Sequence, residues 1–461
     1  MIPGMNSPSL HRHGVTFRLL AILVLVAILQ IPLWLIGDLL SERAERRDGA
    51  LTEITASWGR SQRIVGPFLV VPYRATAHAA REPERLAVFL PEQLRIRGEL
   101  DPSIRHRGIY EAVVYGARLE IAGRFAIPDA AALGLAPERL VWDRAYLALG
   151  VDDLRGARGA VTLDWNGTSV PCEPGARHPL LPTGLHAVLP ALEPGRPAGE
   201  FALALHLNGS GRLAFTPVGR ETEVTLVSSW ADPGFSGDLL PVRREIGPDG
   251  FDALWRASYF SREYAQQWTE EQGAPSAATL AASAFGVELV RLVDAYRVVE
   301  RASKYALLFI ALLFTAFFLF EILAALRMHV LHYALVGAAL VLFYLALLAI
   351  SEFAPFGAAY LVSAAASTLL ITLYCVSILR SGRRSLAIGA ALAGVYAFLF
   401  FVLRMQDYSL IAGTIALFAL LALVMYATRN IDWSAPAAGA DHEPDTEPRP
   451  AAPPPLPPER A

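Results

Sequence analysis

Two hydrophobic patterns divide this chain. Long uncharged apolar runs stand near its start and through its last third, and between them apolar and polar residues alternate at short intervals. The first run, LLAILVLVAILQIPLWLIG from Leu19 to Gly37, is long enough for the roughly 20 residues that a bilayer core requires. It outlasts the apolar core of a cleavable signal, and GDLLSERAERR behind it offers no small-residue cleavage site. The pattern therefore predicts an uncleaved signal-anchor helix over 19–40, with Pro32 tolerated as a kink. SERAERRDGALTEITASWG keeps helical spacing and predicts that this helix continues outward.

The period then changes. Residues 41–303 read as one β-rich region, in which RIVGPFLVVPY, LAVFLPEQLRIRGEL and RGIYEAVVYGARLEIAGRFAIP are strand-like. Ala122-Gly123-Arg124 is read as a turn. Asn166-Gly167 and Asn208-Gly209 are read as hairpin turns, because Asn-Gly supplies the two positive φ values of a type I′ turn. Both also match a glycosylation sequon, but a turn accounts for them without glycan. Many short strands without a βαβ alternation predict a β-sandwich-like or meandering domain.

The stretch from Lys304 to Arg327 hands this region over to a second apolar block. Spans are expected near 305–326, 332–351, 356–379, 385–403 and 409–427. The predicted fold class is thus an α+β membrane protein: a signal-anchor helix, a large β-rich domain and a bundle of five transmembrane helices, six in all.

Composition changes this picture little, since 54% hydrophobic and 18% charged residues with a net charge of -3 average over two unlike halves. The placement of charge matters more. Arg12, Arg18, Arg327, Arg380, Arg383, Arg384 and Arg429 fall on one set of flanks, whereas the opposite short loops hold Arg404, offset by Asp407. Basic residues in short loops are retained on the cytoplasmic side. Both termini, 1–18 and 430–461, are therefore expected inside a bacterial inner membrane, and the β-rich domain in the periplasm. The Pro/Ala-rich acidic tail after Trp433 is expected to be disordered.

Candidate chemistry is sparse. The chain lacks H-E-x-x-H, G-x-x-x-x-G-K-[ST], C-x-x-C and G-x-S-x-G. Cys172 and Cys375 have no Cys or His at metal-ligand spacing and read as packing thiols, so no metal or cofactor is expected. Asp152-Asp153 is a carboxylate pair, but adjacent residues on a strand point to opposite faces, and a capped turn is the better reading. Ser210, within Asn208-Gly209-Ser210-Gly211, resembles a nucleophile elbow only loosely. Trp58, Trp142, Trp165, Trp230, Trp255 and Trp268 would suit a glycan or peptide groove, yet their scatter favours core positions.

Glu321 is the strongest local signal. A carboxylate inside a span is costly and needs a partner, here one of the cytoplasmic-side cations Arg380, Arg383 and Arg384, or His329 and His332 if protonated. A structural ion pair or a protonated acid is favoured over a proton or ion relay, because transporters usually carry several such charges. Lys304 and Arg327, at the two ends of this stretch, are candidate juxtamembrane coupling residues.

Blocks spread over nearly the whole chain resemble the CreD family of inner-membrane proteins. They include QRIVGPFLVVPY (62–73), RHRGIYEAVVY (105–115), DDLRG (152–156) and LNGSGRLAFTPVGRETEVTLVSSW (207–230). LLPVRREIGPDGFDALW (239–255), ERASKYALLFIALLFTAFFLFE (300–321), VLFYLALLAISEFAPFGAAYL (341–361) and RNIDW (429–433) continue the likeness. Gly234, Leu292, Val330 and His332 depart from the pattern, in loops or at a helix entrance. The resemblance implies a role in envelope integrity under stress, and it supplies no catalytic residues. The expectation is a non-enzymatic membrane protein whose periplasmic domain binds an envelope protein or cell-wall component, and not nucleic acid. The alternatives are a transporter or lipid-handling protein using Glu321, and a periplasmic hydrolase using Asp152, Asp153 or Ser210. The sequence carries no signal for oligomeric state.

Overall fold

One unbroken helix, α1, runs from Gly14 to Trp58 with Pro32 inside it. The expected continuation of the anchor helix is therefore present as a single element. In the computed structural model, residues 14–74, 84–192, 199–289, 295–323, 329–379, 381–404 and 409–429 are described. The chain forms two units, Leu39–Tyr296 and a second made from Met1–Asp38 with Arg297–Ala461.

The first unit is built on two β-sheets. The eight-stranded sheet has the order Arg243–Gly247, Gly250–Ser258, Glu221–Ser228, Gln93–Arg107, Tyr110–Phe125, Gly199–Ser210, Thr162–Trp165, Thr168–Pro171. The nine-stranded sheet runs Pro233–Ser236, Phe285–Leu289, Arg212–Thr216, Gln62–Tyr73, Tyr146–Val151, Gly184–Val188, Glu173–Pro174. From Gln62–Tyr73 a branch leads through Arg85–Phe89 to Gln267–Thr269. Pairing is antiparallel except where Gln62–Tyr73 meets Arg212–Thr216 and where Glu221–Ser228 meets Gln93–Arg107.

Burial shows why the strands stack as they do. In the eight-stranded sheet Leu94, Ile96 and Leu100 alternate with exposed Arg95, Arg97 and Glu99, so one face is core and the other is solvent. Gln62–Tyr73 and Tyr146–Val151 are buried on both faces. One continuous core joins the two sheets, with Phe68, Trp268, Phe285 and Trp255 among its fully buried side chains. Burying an aromatic ring of this kind removes about 150–250 Å² from water, which makes these four the anchors of the sandwich.

The turn expectations divide. Asn166-Gly167 is a hairpin turn with φ of 51° and 79°, joining Thr162–Trp165 to Thr168–Pro171. Asn208-Gly209 is not a turn: both residues lie inside the strand Gly199–Ser210, and the chain turns at Gly211, φ 65°. Ala122-Gly123-Arg124 likewise lies inside Tyr110–Phe125, and the reversal before that strand is at Gly108. The physical reason is close approach. A Cβ on Gly209 would lie 2.4 Å from the Tyr115 ring, and one on Gly123 would lie 2.0 Å from the Gln93 carbonyl oxygen.

The second unit is helical. After the short helix α2 (Ala277–Ala282) of the β-rich unit and α3 (Ala295–Lys304), which leads into the bundle, come α4 (Ala306–Leu323), α5 (Val330–Ser351), α6 (Phe356–Leu379), α7 (Gly382–Arg404) and α8 (Ser409–Thr428). A turn at Tyr305 separates α3, which ends at Lys304, from the apolar helix α4. Among the described residues four helices are long and apolar enough to cross a membrane: Leu20–Trp58, Val330–Ser351, Phe356–Ile378 and Gly382–Arg404. The part of α4 from Ala306 to Thr315, where side chains are described, is apolar. The structure is thus α+β, with an N-terminal apolar helix, a β-rich domain and apolar helices after it.

Packing among these helices uses small residues and hydroxyls, as expected where lipid removes the usual hydrophobic drive. A Cβ on Gly337 of α5 would meet Leu29 of α1 at 2.3 Å and Phe314 of α4 at 2.9 Å, so three helices converge there. Leu29, Leu33 and Ile36 of α1 are buried, while Leu23, Ile31 and Trp34 are exposed as a lipid-facing surface would be. Tyr360 Oη donates to the Tyr396 carbonyl at 2.7 Å, and Tyr396 Oη donates to Ser367 Oγ at 2.9 Å. Ser367 Oγ in turn donates to the Ala339 carbonyl at 3.3 Å, which ties α5, α6 and α7 together.

Candidate functional site

Four of the sequence blocks that carry the family likeness meet where α1 ends. Trp58 is its last residue, and the indole Nε1 donates to the Tyr115 carbonyl at 3.2 Å. The guanidinium carbons of Arg105 and Arg158 stand 4.4 and 5.4 Å from its ring centroid. At such exposed sites each cation–π contact contributes about 0.5–1 kcal/mol. Gly59 follows with φ 149°, and a Cβ there would sit 2.5 Å from the Asn208 carbonyl oxygen. Gly156 approaches the same oxygen, at 2.3 Å for its added Cβ. Two glycines thus let two chain segments close on one carbonyl.

Gln62 fills the space between them. Its Nε2 donates to the Asn208 carbonyl at 2.8 Å and to the Asp153 carbonyl at 2.9 Å, and its Oε1 accepts from Asp153 N–H at 3.1 Å. Tyr115 completes the arrangement, with its hydroxyl donating to the Arg212 carbonyl at 2.7 Å. Full burial pushes that phenol well above its ordinary range.

The Asp153 carboxylate is committed in the same way. It accepts from Arg60 N–H at 3.2 Å, from Arg155 N–H at 3.1 Å, and from Arg155 Nε and Nη2 at 2.9 and 3.0 Å. The Arg155 side-chain bonds, followed by the backbone donors, hold the carboxyl below its ordinary value of 3.8 against an opposing desolvation effect. The carboxylate caps the short 3₁₀ turn Leu154–Gly156, as the capped-turn reading expected. Asp152 points elsewhere and pairs with Arg63 at 3.2 Å. Ser210 is buried, and its N–H bonds the Arg60 carbonyl at 3.2 Å. The chemistry of this cluster is that of a clamp, with its polar groups spent on backbone partners and on the Arg155 guanidinium.

The remaining candidates are scattered. Trp165, Trp255 and Trp268 are core residues, and Trp58, Trp142 and Trp230 are half-buried, so the tryptophans do not line one groove. Lys304 ends α3 and is paired with Glu300 at 2.8 Å on an exposed face. Arg327 lies outside the described residues, as does the side chain of Glu321, whose backbone belongs to α4. His332 shares a hydrogen bond between Nδ1 and Tyr374 Oη at 2.8 Å. Cys172 and Cys375 are free thiols, and burial pushes that of Cys172 up to about 11. Among the described residues no group of three or more His, Cys, Asp or Glu is placed to hold a metal ion. The bundle encloses a cavity of about 10 Å³ lined by Phe309, Leu340, Phe343, Tyr344 and Tyr396, room for at most one water.

The clamp is the feature sequence reasoning missed. Gln62 and Asn208 are unremarkable polar residues in strand-like runs, and only the pairing of distant segments makes them neighbours. The signal that was present is Gly59 and Gly156 beside charged residues, since glycine marks close backbone approach.

Comparison with known proteins bears on the same blocks. The profile of the family described as inner membrane protein CreD matches residues 14–434. The chain belongs to the CreD family. It is 33% identical over 422 residues to the inner membrane protein CreD of Escherichia coli strain K12, covering 89% of this chain and 92% of the relative. Among solved structures it is similar over 36% of its length to an M1 zinc metallopeptidase from Deinococcus radiodurans, at 11% identity and a TM-score of 0.20. A mutant form of that enzyme matches at 13% identity and a TM-score of 0.19. The match spans 38% of the peptidase chain in each case, and likeness this slight carries no argument about function.

Proposed function

We propose that this member of the CreD family is a multi-pass inner-membrane protein that supports cell-envelope integrity without catalysing a reaction. In this reading α1, α4, α5, α6, α7 and α8 are six spans, both termini are cytoplasmic, and the β-rich unit stands in the periplasm. The basic flanks Arg12, Arg18, Arg327, Arg380, Arg383, Arg384 and Arg429 support that orientation. The β-rich unit binds an envelope protein or a cell-wall component, and α1 links that event to the membrane.

The observation that carries the reading is the clamp at Trp58. Trp58 Nε1 donates to the Tyr115 carbonyl, and Arg60 N–H, two residues past the end of α1, donates to the Asp153 carboxylate, so the end of α1 is held on strands and turns of the β-rich unit. A rigid seat of this kind suits a domain that is held and pulled upon, and leaves its carboxylate poorly suited to proton transfer.

The test is a strain lacking the protein, challenged with detergent, β-lactam and osmotic shock. Sensitivity should appear and be reversed by the wild-type chain, but only weakly by Trp58→Ala combined with Asp153→Ala. Normal tolerance in the deletion strain would remove the envelope role. Full rescue by the clamp variant would remove the link through α1.

A further inference from the structure

The eight-stranded sheet has two edges, and they differ. One is Thr168–Pro171, four residues ending in a proline that cannot donate to a new strand. The other is Arg243–Gly247, paired on one side only, with Arg243, Arg244, Glu245 and Ile246 exposed and no proline within it. Val242 and Ile246 are 62% and 51% exposed. Ile246 lies on the face that continues the core side, since it is opposite buried Phe251, while Val242 precedes the strand and donates its N–H to the Leu254 carbonyl at 2.8 Å. Exposed apolar residues on an open edge are the pattern that natural sheets avoid unless something covers them.

Charge on the other face indicates what covers it. Glu245 lies directly opposite Asp252, two carboxylates side by side in one ladder. Arg243 is the cation beside them, 3.6 Å from Asp252 Oδ1, which accepts no hydrogen bond. Glu245 has no ion pair of its own among the described residues. Like charges across a ladder are destabilising, and a cation beyond the edge would relieve them.

We propose that strand Arg243–Gly247 pairs antiparallel with the same strand of a second copy of this chain, the two-fold axis passing at Arg244. A continuous sheet requires that residues brought opposite one another share a face, which limits the possible registers. Centring on Arg243 sets Arg243 against itself, and centring on Glu245 sets Glu245 against itself. Centring on Arg244 sets Arg243 opposite the partner's Glu245, twice, with Ile246 beside each pair. The cost is Arg244 facing its own copy. Five residues make a small interface, but two copies held in one bilayer meet at a raised effective concentration.

The test uses the full-length chain in native membranes. Arg244→Cys, at the two-fold axis, should give a disulfide-linked dimer under mild oxidation. Its yield should exceed by on the order of ten-fold that of Ile246→Cys, whose two copies stand about 13 Å apart in this register. Two differently tagged copies should co-purify. Arg243→Glu or Glu245→Arg alone should lower co-purification about ten-fold, and the two changes together should restore it. Equal cross-linking of the two cysteine variants, a cross-linked product containing a different protein, or a double reversal no better than either single one would each overturn the proposal. Wild-type levels of inserted protein in every variant keep loss of folding apart from loss of pairing.

Discussion

Gln62 and Asp153 face each other as two strands would. The Gln62 side-chain amide donates to the Asp153 carbonyl and accepts from its N–H, at 2.9 and 3.1 Å. The backbone ladder between Gln62–Tyr73 and Tyr146–Val151 stops at Ile64 and Val151, and the glutamine extends it by one further pair. The same amide also satisfies Asn208. One buried side chain therefore serves three backbone groups on two distant segments, and Gln62 is 1% exposed.

Replacing Gln62 with Leu should expose how much depends on it. An N–H and two carbonyls would lose partners in a buried site, at about 1–3 kcal/mol for each group left unsatisfied. The expected loss is roughly 3 kcal/mol, read as a lowered midpoint in thermal unfolding of the purified chain in detergent. A shift equivalent to less than about 0.5 kcal/mol would show that water or relaxation replaces the amide.

His178 makes stability depend on acidity. Its Nδ1 accepts from Leu180 N–H at 3.2 Å, its ring meets Phe68 edge-on at 5.7 Å, and burial lowers its pKa to about 4. The folded value lies below the ordinary 6.5, so the neutral ring favours the folded state. That contribution is complete above pH 6.5 and is lost as pH falls through the folded value near 4. Unfolding midpoints measured across this window should fall for the wild type and flatten for His178→Phe. Parallel curves would dismiss the assignment.

Gly209 and Gly116 sit near one another in paired strands and should respond oppositely to alanine. A Cβ on Gly209 meets the Tyr115 ring at 2.4 Å, and that ring is held by its bond to Arg212. A Cβ on Gly116 meets nothing within 4 Å. Gly209→Ala should cost about 1–3 kcal/mol. Gly116→Ala should be neutral or slightly stabilising, because it only narrows the unfolded ensemble. Comparable melting temperatures for the two variants would mean that Tyr115 moves freely.

Glu321→Gln separates the envelope reading from a transport reading. The structural reading expects tolerance of detergent and β-lactam to survive the change, with the amount of inserted protein unaltered. Loss of tolerance at normal abundance would instead assign the carboxylate to an ion or proton path.

Much of the architecture was legible because it rests on local periodicity. The apolar run from Leu19 and the helical spacing after Ser41 lie in one helix, α1, and Asn166-Gly167 turns as its residue types require. Glycine was the ambiguous letter. Gly123 and Gly209 are present so that another group can come close, and one sequence cannot distinguish that need from a turn. The clamp was hidden for a different reason. Gln62 and Asn208 are 146 positions apart, and only the parallel pairing of Gln62–Tyr73 with Arg212–Thr216 brings their segments together. Glu321 stood out because an apolar background isolates it, whereas Asp153 lies next to Asp152 and two residues before Arg155.

The continuity of α1 fixes an angular phase as well as a length. Each residue of an α-helix advances the facing direction by about 100°, so the azimuth of Trp58 is set by the count of residues before it. One residue added between Asp38 and Thr52 would turn the part of the helix before it by about 100° relative to Trp58. Seven would return it to within about 20° while displacing it along the axis by about 10 Å. The helix is thus a shaft, and what it can carry between its ends is torque as much as tension.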